Sequence, residues 1–138
     1  MVKPLTPELL AEAFRLAWVA RDRAYAPYSR FAVGAAVYLP EHAAFVTGVN
    51  VENVSYGATI CAERAALVRS VAEFGRSIIG LIAIVSALEP PITPCGMCLQ
   101  VLQEFGNPET VVWAESPAGH RASYLLAELL PQAFHTLN

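Results

Sequence analysis

Cys95 and Cys98 stand three residues apart, after Thr93-Pro94 and before the apolar run that begins at Leu99. Threonine is a good helix cap and proline suits a first helical position, so the stretch predicts a helix start carrying both thiols on one face. A helix start exposes free N–H groups and the positive end of the dipole, which favours thiolate over thiol. A third cysteine, Cys61, precedes Ala62-Glu63-Arg64 at a second expected helix start. Three thiolates fill three positions of a tetrahedral zinc and leave the fourth open, the arrangement of a catalytic rather than a closed structural site. Water at an open zinc position becomes a nucleophile near neutral pH, and Glu63, beside a ligand, can carry protons between water, substrate and leaving group.

Simpler readings of the same residues stand beside this one. Three cysteines can be unrelated buried thiols, and a Cys-x-x-Cys can be a redox pair, although the thioredoxin-like version recruits no third cysteine. A structural zinc would want a fourth protein ligand; His42, His120 and His135 are the candidates, none at a metal-ligand spacing, and each reads better as a surface residue. A glutamate in a first helical turn is commonly a solvated acid favoured by the dipole. Arg64, three residues after Cys61, is either a solvated arginine or a donor to thiolate sulfur that offsets the excess negative charge of three thiolates on one zinc.

The elements that must position these groups follow from periodicity and punctuation. Thr6-Pro7-Glu8 starts a helix whose apolar positions include Leu10, Ala13 or Phe14, and Ala17; Pro27 ends it by about Tyr25. Phe31–Leu39 and Phe45–Val49 flank Pro40-Glu41-His42 and predict an antiparallel hairpin. Residues 50–57 form a polar loop suited to binding groups. Thr59 can cap a helix from about Ile60 to Phe74, with Cys61, Ala65, Val68 and Ala72 as its packing face and Gly75 as its stop. Ile79–Val85 has the unbroken apolar character of a strand covered on both faces. After the Cys95 helix, which should end near Phe105, come strands at Thr110–Ala114 and Arg121–Leu125 and a short helix closing at Leu130-Pro131. This order predicts a three-layer α/β/α fold, a mixed sheet of about five strands with helices on both faces. Both cysteine helices can then begin at one edge of the sheet, where ligands bind in open α/β sheets.

The 138 residues suit one domain, 1–138, with no shift of composition inside it. Apolar residues make up 55 % and charged ones 15 %, more apolar surface than so small a domain can bury alone, which predicts contacts between subunits. The longest apolar run, Ile78–Leu88, is too short to span a bilayer. A net charge of −3 without a basic cluster disfavours a nucleic-acid partner. No secretory pattern precedes Glu12, which predicts a cytoplasmic protein with no disulfide framework.

Cys61-Ala62-Glu63-Arg64 together with Pro94-Cys95-Gly96-x-Cys98 resembles the zinc-dependent cytidine deaminases of the small homotetrameric type. The resemblance extends along nearly the whole chain. It includes Tyr25-x-Pro27-Tyr28-Ser29-x-Phe31-x-Val33-Gly34-Ala35-Ala36, Gly48-x-Asn50-Val51-Glu52-Asn53, Ser55-Tyr56-Gly57-x-Thr59, Gln100-Val101-Leu102-x-Glu104-Phe105 and Leu129-Leu130-Pro131-x-x-Phe134. It implies hydrolytic deamination of cytidine and deoxycytidine, one zinc per subunit held by Cys61, Cys95 and Cys98, and Glu63 as proton carrier. It further implies that Asn50 and Glu52 hold the ribose hydroxyls, Phe31 stacks on the pyrimidine and the backbone around Ala62 reads its edge. Phe134, and in some measure Tyr56, would complete the site of a neighbouring subunit. By residue type alone, Phe31 reads better as a strand core residue and Phe134 as a helix-end anchor. The chain departs from the pattern at Leu99, where the family usually has arginine, and that departure leaves Arg64 with more of the charge to offset.

Overall fold

A computed structural model describes residues 5–135; the ends of the predicted domain, 1–4 and 136–138, lie outside the described residues. The elements are α1 (Pro7–Arg21), β1 (Gly34–Leu39), β2 (Ala44–Val49), α2 (Ala62–Phe74), β3 (Leu81–Val85), α3 (Gly96–Phe105), β4 (Val111–Glu115), β5 (Arg121–Leu125) and α4 (Leu126–Leu129), with a single 3₁₀ turn at Tyr56–Ala58. The strands form one sheet in the order β2-β1-β3-β4-β5. β3 and β4 are parallel and every other pair is antiparallel, so the predicted hairpin and mixed sheet are both present.

Helices cover both faces. α1 lays Ala13, Phe14 and Ala17 against Ala36, Tyr38, Leu81, Ala83 and Val85. On the other face α2, α3 and α4 bury Ala66, Leu67, Leu102 and Leu126 against Val37, Ile82, Ile84 and Val112. β1 and β3, buried along their whole length, are central because both of their faces are covered. Two glycines permit the closest approaches. A Cβ on Gly34 would lie 2.1 Å from the Ala17 carbonyl oxygen, and one on Gly48 would lie 2.3 Å from the Ala66 nitrogen.

Several boundaries differ from expectation for identifiable reasons. α1 stops at Arg21 rather than Tyr25, because Tyr25 turns away to bridge Val51. β1 begins at Gly34 rather than Phe31, since residues 31–33 are held by side chains instead of by a neighbouring strand. β4 runs one residue later than expected, because the Thr110 hydroxyl bonds the Ile79 carbonyl and its amide turns back to Asn107. α2 begins at Ala62, with Cys61 as its cap; Thr59 instead closes the 3₁₀ turn and accepts from the Asn53 amide. α3 begins at Gly96, with Cys95 as its cap, so Thr93 and Pro94 lie outside the helix. The packing face of α2 lies one residue along from the expected one. Ala62, Glu63, Ala66, Leu67 and Ser70 are buried, whereas Val68 is 63 % exposed and Ala72 faces solvent.

Gly34, Val49, Val85, Glu115 and Arg121 are register partners along one edge of the sheet. The polar loop after β2 and the approaches to α2 and α3 all leave from that edge. Val51 ties the loop down by bridging both Tyr25 and Ile60.

Candidate active site

Cys61, Cys95 and Cys98 converge at this edge, their sulfur atoms all within 4.8 Å of one another. Cys61 and Cys95 occupy the cap positions of α2 and α3, while Cys98 lies one turn into α3, which directs both α3 thiols to the same side. The Cys95 and Cys98 sulfurs are 3.5 Å apart. Tetrahedral zinc with bonds of about 2.3 Å places its sulfur ligands about 3.8 Å apart, so the three residues fit such an ion in donor type, number and spacing. Exposure grades across the set: Cys98 is buried, Cys61 half-buried and Cys95 exposed, leaving an open approach from one side. Burial raises the Cys95 thiol, but the Cys98 amide and the neighbouring thiols outweigh it and hold the group below its ordinary value. Burial pushes the Cys98 thiol far up, reinforced by the negative charge of Glu63 and Cys61; a cation among the sulfurs would relieve that repulsion.

Glu63 is in the first turn of α2 and only 6 % exposed. Burial raises its carboxyl, opposed by its own amide, by the Cys98 thiol and by the charge on Arg64. A carboxyl in this setting can hold a proton at a pH where an exposed glutamate has lost it. Arg64 points its guanidinium at the Cys61 sulfur, 3.5 Å away, and at the Thr59 carbonyl, 3.4 Å away. Its Nε is buried without a partner among the described residues. Leu99 follows Cys98 into the apolar cluster between the sheet and α2, only 7 % exposed, and brings no charge.

None of the three histidines joins the cysteines. His42 bonds Ser77, His120 bonds Glu89 and His135 bonds Gln103. Among the described residues the three cysteines are the one cluster of metal-ligating type.

The predicted substrate contacts surround the same edge. Asn50 is buried, accepts from the Val33 amide at 2.9 Å and donates to the Phe31 carbonyl at 2.7 Å. Phe31 is partly buried, its ring packed against the cluster that includes Val33 and Leu99. Ala62 is buried at the start of α2. Glu52 and Tyr56 line a cleft of about 300 Å³ together with Tyr28, Ser29 and Thr59, and the rings of Tyr28 and Tyr56 meet edge-on at 5.8 Å. Phe134 lies outside that cleft, 62 % exposed, its carbonyl accepting from Gln100 of α3 at 2.9 Å. Tyr28, Ser29 and Thr59 were not among the predicted contacts; their position in the polar turn before Phe31 and in the loop before Cys61 is the signal that marks them.

Residues 7–115 match the family described as the cytidine and deoxycytidylate deaminase zinc-binding region. A cytidine deaminase from Halalkalibacterium halodurans is 43 % identical over 115 residues, 83 % of this chain and 86 % of that protein. One from Mycobacterium tuberculosis is 46 % identical over 111 residues, 80 % of this chain and 78 % of its own. The crystal structure of cytidine deaminase from Burkholderia pseudomallei superposes with a TM-score of 0.84 at 42 % identity, covering 94 % of this chain and all of that one.

Proposed function

The chain belongs to the zinc-binding cytidine deaminase family, and we propose that it hydrolyses the 4-amino group of cytidine and 2′-deoxycytidine in pyrimidine salvage. The products are the uracil nucleoside and ammonia. One observation carries this reading: a buried glutamate stands beside three cysteines that leave a tetrahedral ion one open position.

Cys61, Cys95 and Cys98 would hold one zinc per chain. When bound, zinc supplies Lewis acidity and lowers the pKa of water in its open position. Glu63 shuttles the protons: its carboxyl gives one to ring N3 as the water oxygen adds at C4 and takes one from that oxygen. It then passes the oxygen's proton to the amino nitrogen as the C4–N bond breaks, so that both protons gained by the substrate come from the water. Arg64 offsets the net negative charge of three thiolates around a divalent ion and orients the Cys61 sulfur. Phe31 offers the exposed part of its ring to the pyrimidine, and the backbone at Ala62 meets the base edge. Glu52 faces the sugar with Tyr56 beside it in the cleft, and Asn50 serves the sugar from behind Phe31 and Val33. A carboxylate and an amide answer the donor and acceptor needs of sugar hydroxyls.

The same reading makes the chain a single domain that assembles as a homotetramer in the cytoplasm, with Phe134 closing a neighbour's site. In support of assembly, a groove of about 510 Å³ runs between α1, β2 and α2, where Leu16, Val19, Val49, Val51 and Ala65 supply apolar surface alongside Arg23, Thr47 and Arg69. Among the described residues no helix is long and apolar enough to cross a membrane. The deciding experiment incubates the zinc-loaded protein with cytidine and follows loss of the cytosine absorbance, alongside Glu63→Ala and a chelated sample. Turnover that disappears in both controls, and returns when zinc is added back to the chelated protein, is the expected result. Zinc retained by the native protein without turnover would mark a metal-stabilised scaffold instead.

A further inference from the structure

Glu52 is held before any substrate arrives. Its Oε1 accepts from the backbone amides of Tyr28 at 2.9 Å and Ser29 at 3.0 Å, and its Oε2 accepts from the Ser29 hydroxyl. The Ser29 oxygen in turn accepts from the Phe31 amide at 3.0 Å. One hydroxyl therefore joins the residue facing the sugar to the residue facing the base. Asn50 holds the other side of Phe31 through its carbonyl. Between Ser29 and Phe31 the chain passes through Arg30 in the left-handed region, φ 58°, a conformation that an arginine adopts only where its surroundings impose it.

A carboxylate offers about four acceptor positions. Two on Oε1 and one on Oε2 are already filled, which leaves a single position, on Oε2, at the oxygen that Ser29 orients. We propose that Ser29 is a positioning residue for nucleoside binding: its hydroxyl fixes the Glu52 carboxylate so that the one remaining acceptor position faces the cleft and takes one sugar hydroxyl. The geometry assigns no contact with the reacting carbon to Ser29, so its effect belongs to binding. The Ser29 hydroxyl, helped by its amide, also holds the Glu52 carboxyl below its ordinary value, which keeps the acceptor charged. Removing the hydroxyl leaves Oε1 on its two amides but frees Oε2 to swing about them, while Phe31 loses one amide partner and stays held by Asn50 through its carbonyl.

This proposal rests on the reading of Glu52 as a sugar ligand, and the test separates the two. Zinc-loaded Ser29→Ala, Ser29→Thr and Glu52→Gln proteins are compared for KM and kcat with cytidine, and for competitive inhibition by uridine and by 2′,3′-dideoxyuridine. Expected for Ser29→Ala is a KM raised about tenfold, the scale of one lost hydrogen bond to a charged group, with kcat within about twofold. Uridine inhibition should weaken in parallel, dideoxyuridine inhibition should not change, and Ser29→Thr should restore both values. If Glu52→Gln raises KM while Ser29→Ala leaves it alone, Ser29 does not position the carboxylate. Equal weakening of both inhibitors by Ser29→Ala would place its role in general loop structure and overturn the proposal. No change of KM in either Glu52→Gln or Ser29→Ala would remove the sugar-ligand reading and the proposal with it.

Discussion

Gly48→Ala tests whether the packing of α2 on β2 sets the geometry of the metal site. A Cβ at residue 48 would lie 2.3 Å from the Ala66 nitrogen and 2.5 Å from the Ala62 carbonyl oxygen, both helix backbone, where ordinary contact begins at 3.4 Å. Backbone cannot rotate aside as a side chain can, so α2 must retreat by about 1 Å. That helix carries Cys61 at its cap and Glu63 in its first turn. Metal–ligand distances tolerate only about 0.2 Å, and a misplacement of about 1 Å at a reacting centre can cost on the order of a hundredfold. Overpacking of this kind costs about 1–3 kcal/mol, which for a chain of this length lowers Tm by roughly 3–15 °C. The assay combines thermal unfolding by circular dichroism, zinc content and the rate with cytidine. Gly57→Ala is the control, since a Cβ there meets nothing within 4 Å. Gly48→Ala should lose stability, zinc and kcat/KM together, while Gly57→Ala keeps all three. Wild-type Tm with full kcat/KM in Gly48→Ala would refute the link between helix packing and the site.

Arg64→Ala should lower zinc affinity by about ten- to a hundredfold in a competitive chelator titration, since Leu99 supplies no charge to replace it; full zinc and full turnover would show that the arginine is dispensable. Phe134→Ala should raise KM by a few-fold to about tenfold, the scale of one aromatic contact, with an unchanged subunit count by light scattering; an unchanged KM would leave Phe134 as an anchor for the chain end. The Glu52 carboxyl sits below its ordinary value of 4.5, held there by the Ser29 hydroxyl and the Ser29 amide, so its charged form persists until pH falls through that depressed value. KM should accordingly stay flat through neutral and mildly acidic pH in a buffer series. A rise of KM beginning above the ordinary carboxylate range would show that Glu52 does not carry the acid limb.

The cysteines were legible because thiols are few and the Cys95–Cys98 spacing fits a helix start; the helix boundaries beside them were not. Thr59, Thr93 and Pro94 are better starting residues than cysteine by propensity, and they drew both predicted helices about two residues too early. At both helices the cap position belongs to a cysteine. The packing face of α2 escaped for a separate reason: small residues at helical spacing suggest Val68 and Ala72, whereas the buried positions are Ala66 and Ser70. The sheet was easier to read, since its hairpin turn and the unbroken apolar run of β3 depend on neighbours close in sequence. The Ser29–Glu52 contact was out of reach for the opposite reason. It joins residues 23 apart and depends on a left-handed arginine, a conformation that residue type does not announce. Asn50 also does more than its type suggested, because its amide fixes the backbone of Phe31 and Val33 before it can serve a sugar.

Placing cysteine at two helix caps has a cost that bears on how the metal and the fold depend on each other. Neither Cys61 nor Cys95 makes a side-chain capping hydrogen bond, whereas Thr6 caps α1 by accepting from the Leu9 amide at 3.2 Å. An oxygen cap in place of a poor one contributes about 0.5–2 kcal/mol per helix, so α2 and α3 forgo roughly 1–4 kcal/mol between them. In exchange their free amide ends and positive dipole potential surround the sulfurs and favour the thiolate forms that a cation requires. A ligand that binds only the folded chain adds stability in proportion to its occupancy, so zinc would restore to these helix starts what the missing caps withhold. Cys61→Ser should then behave unlike an ordinary core substitution. Serine is the better cap and should leave the metal-free protein as stable or more so, while a ligand is lost and the zinc-loaded protein melts earlier. Thermal unfolding of both proteins with and without zinc reads this directly. If Cys61→Ser lowered Tm equally in the two conditions, the cysteine would be a packing residue and the trade between cap and ligand would not exist.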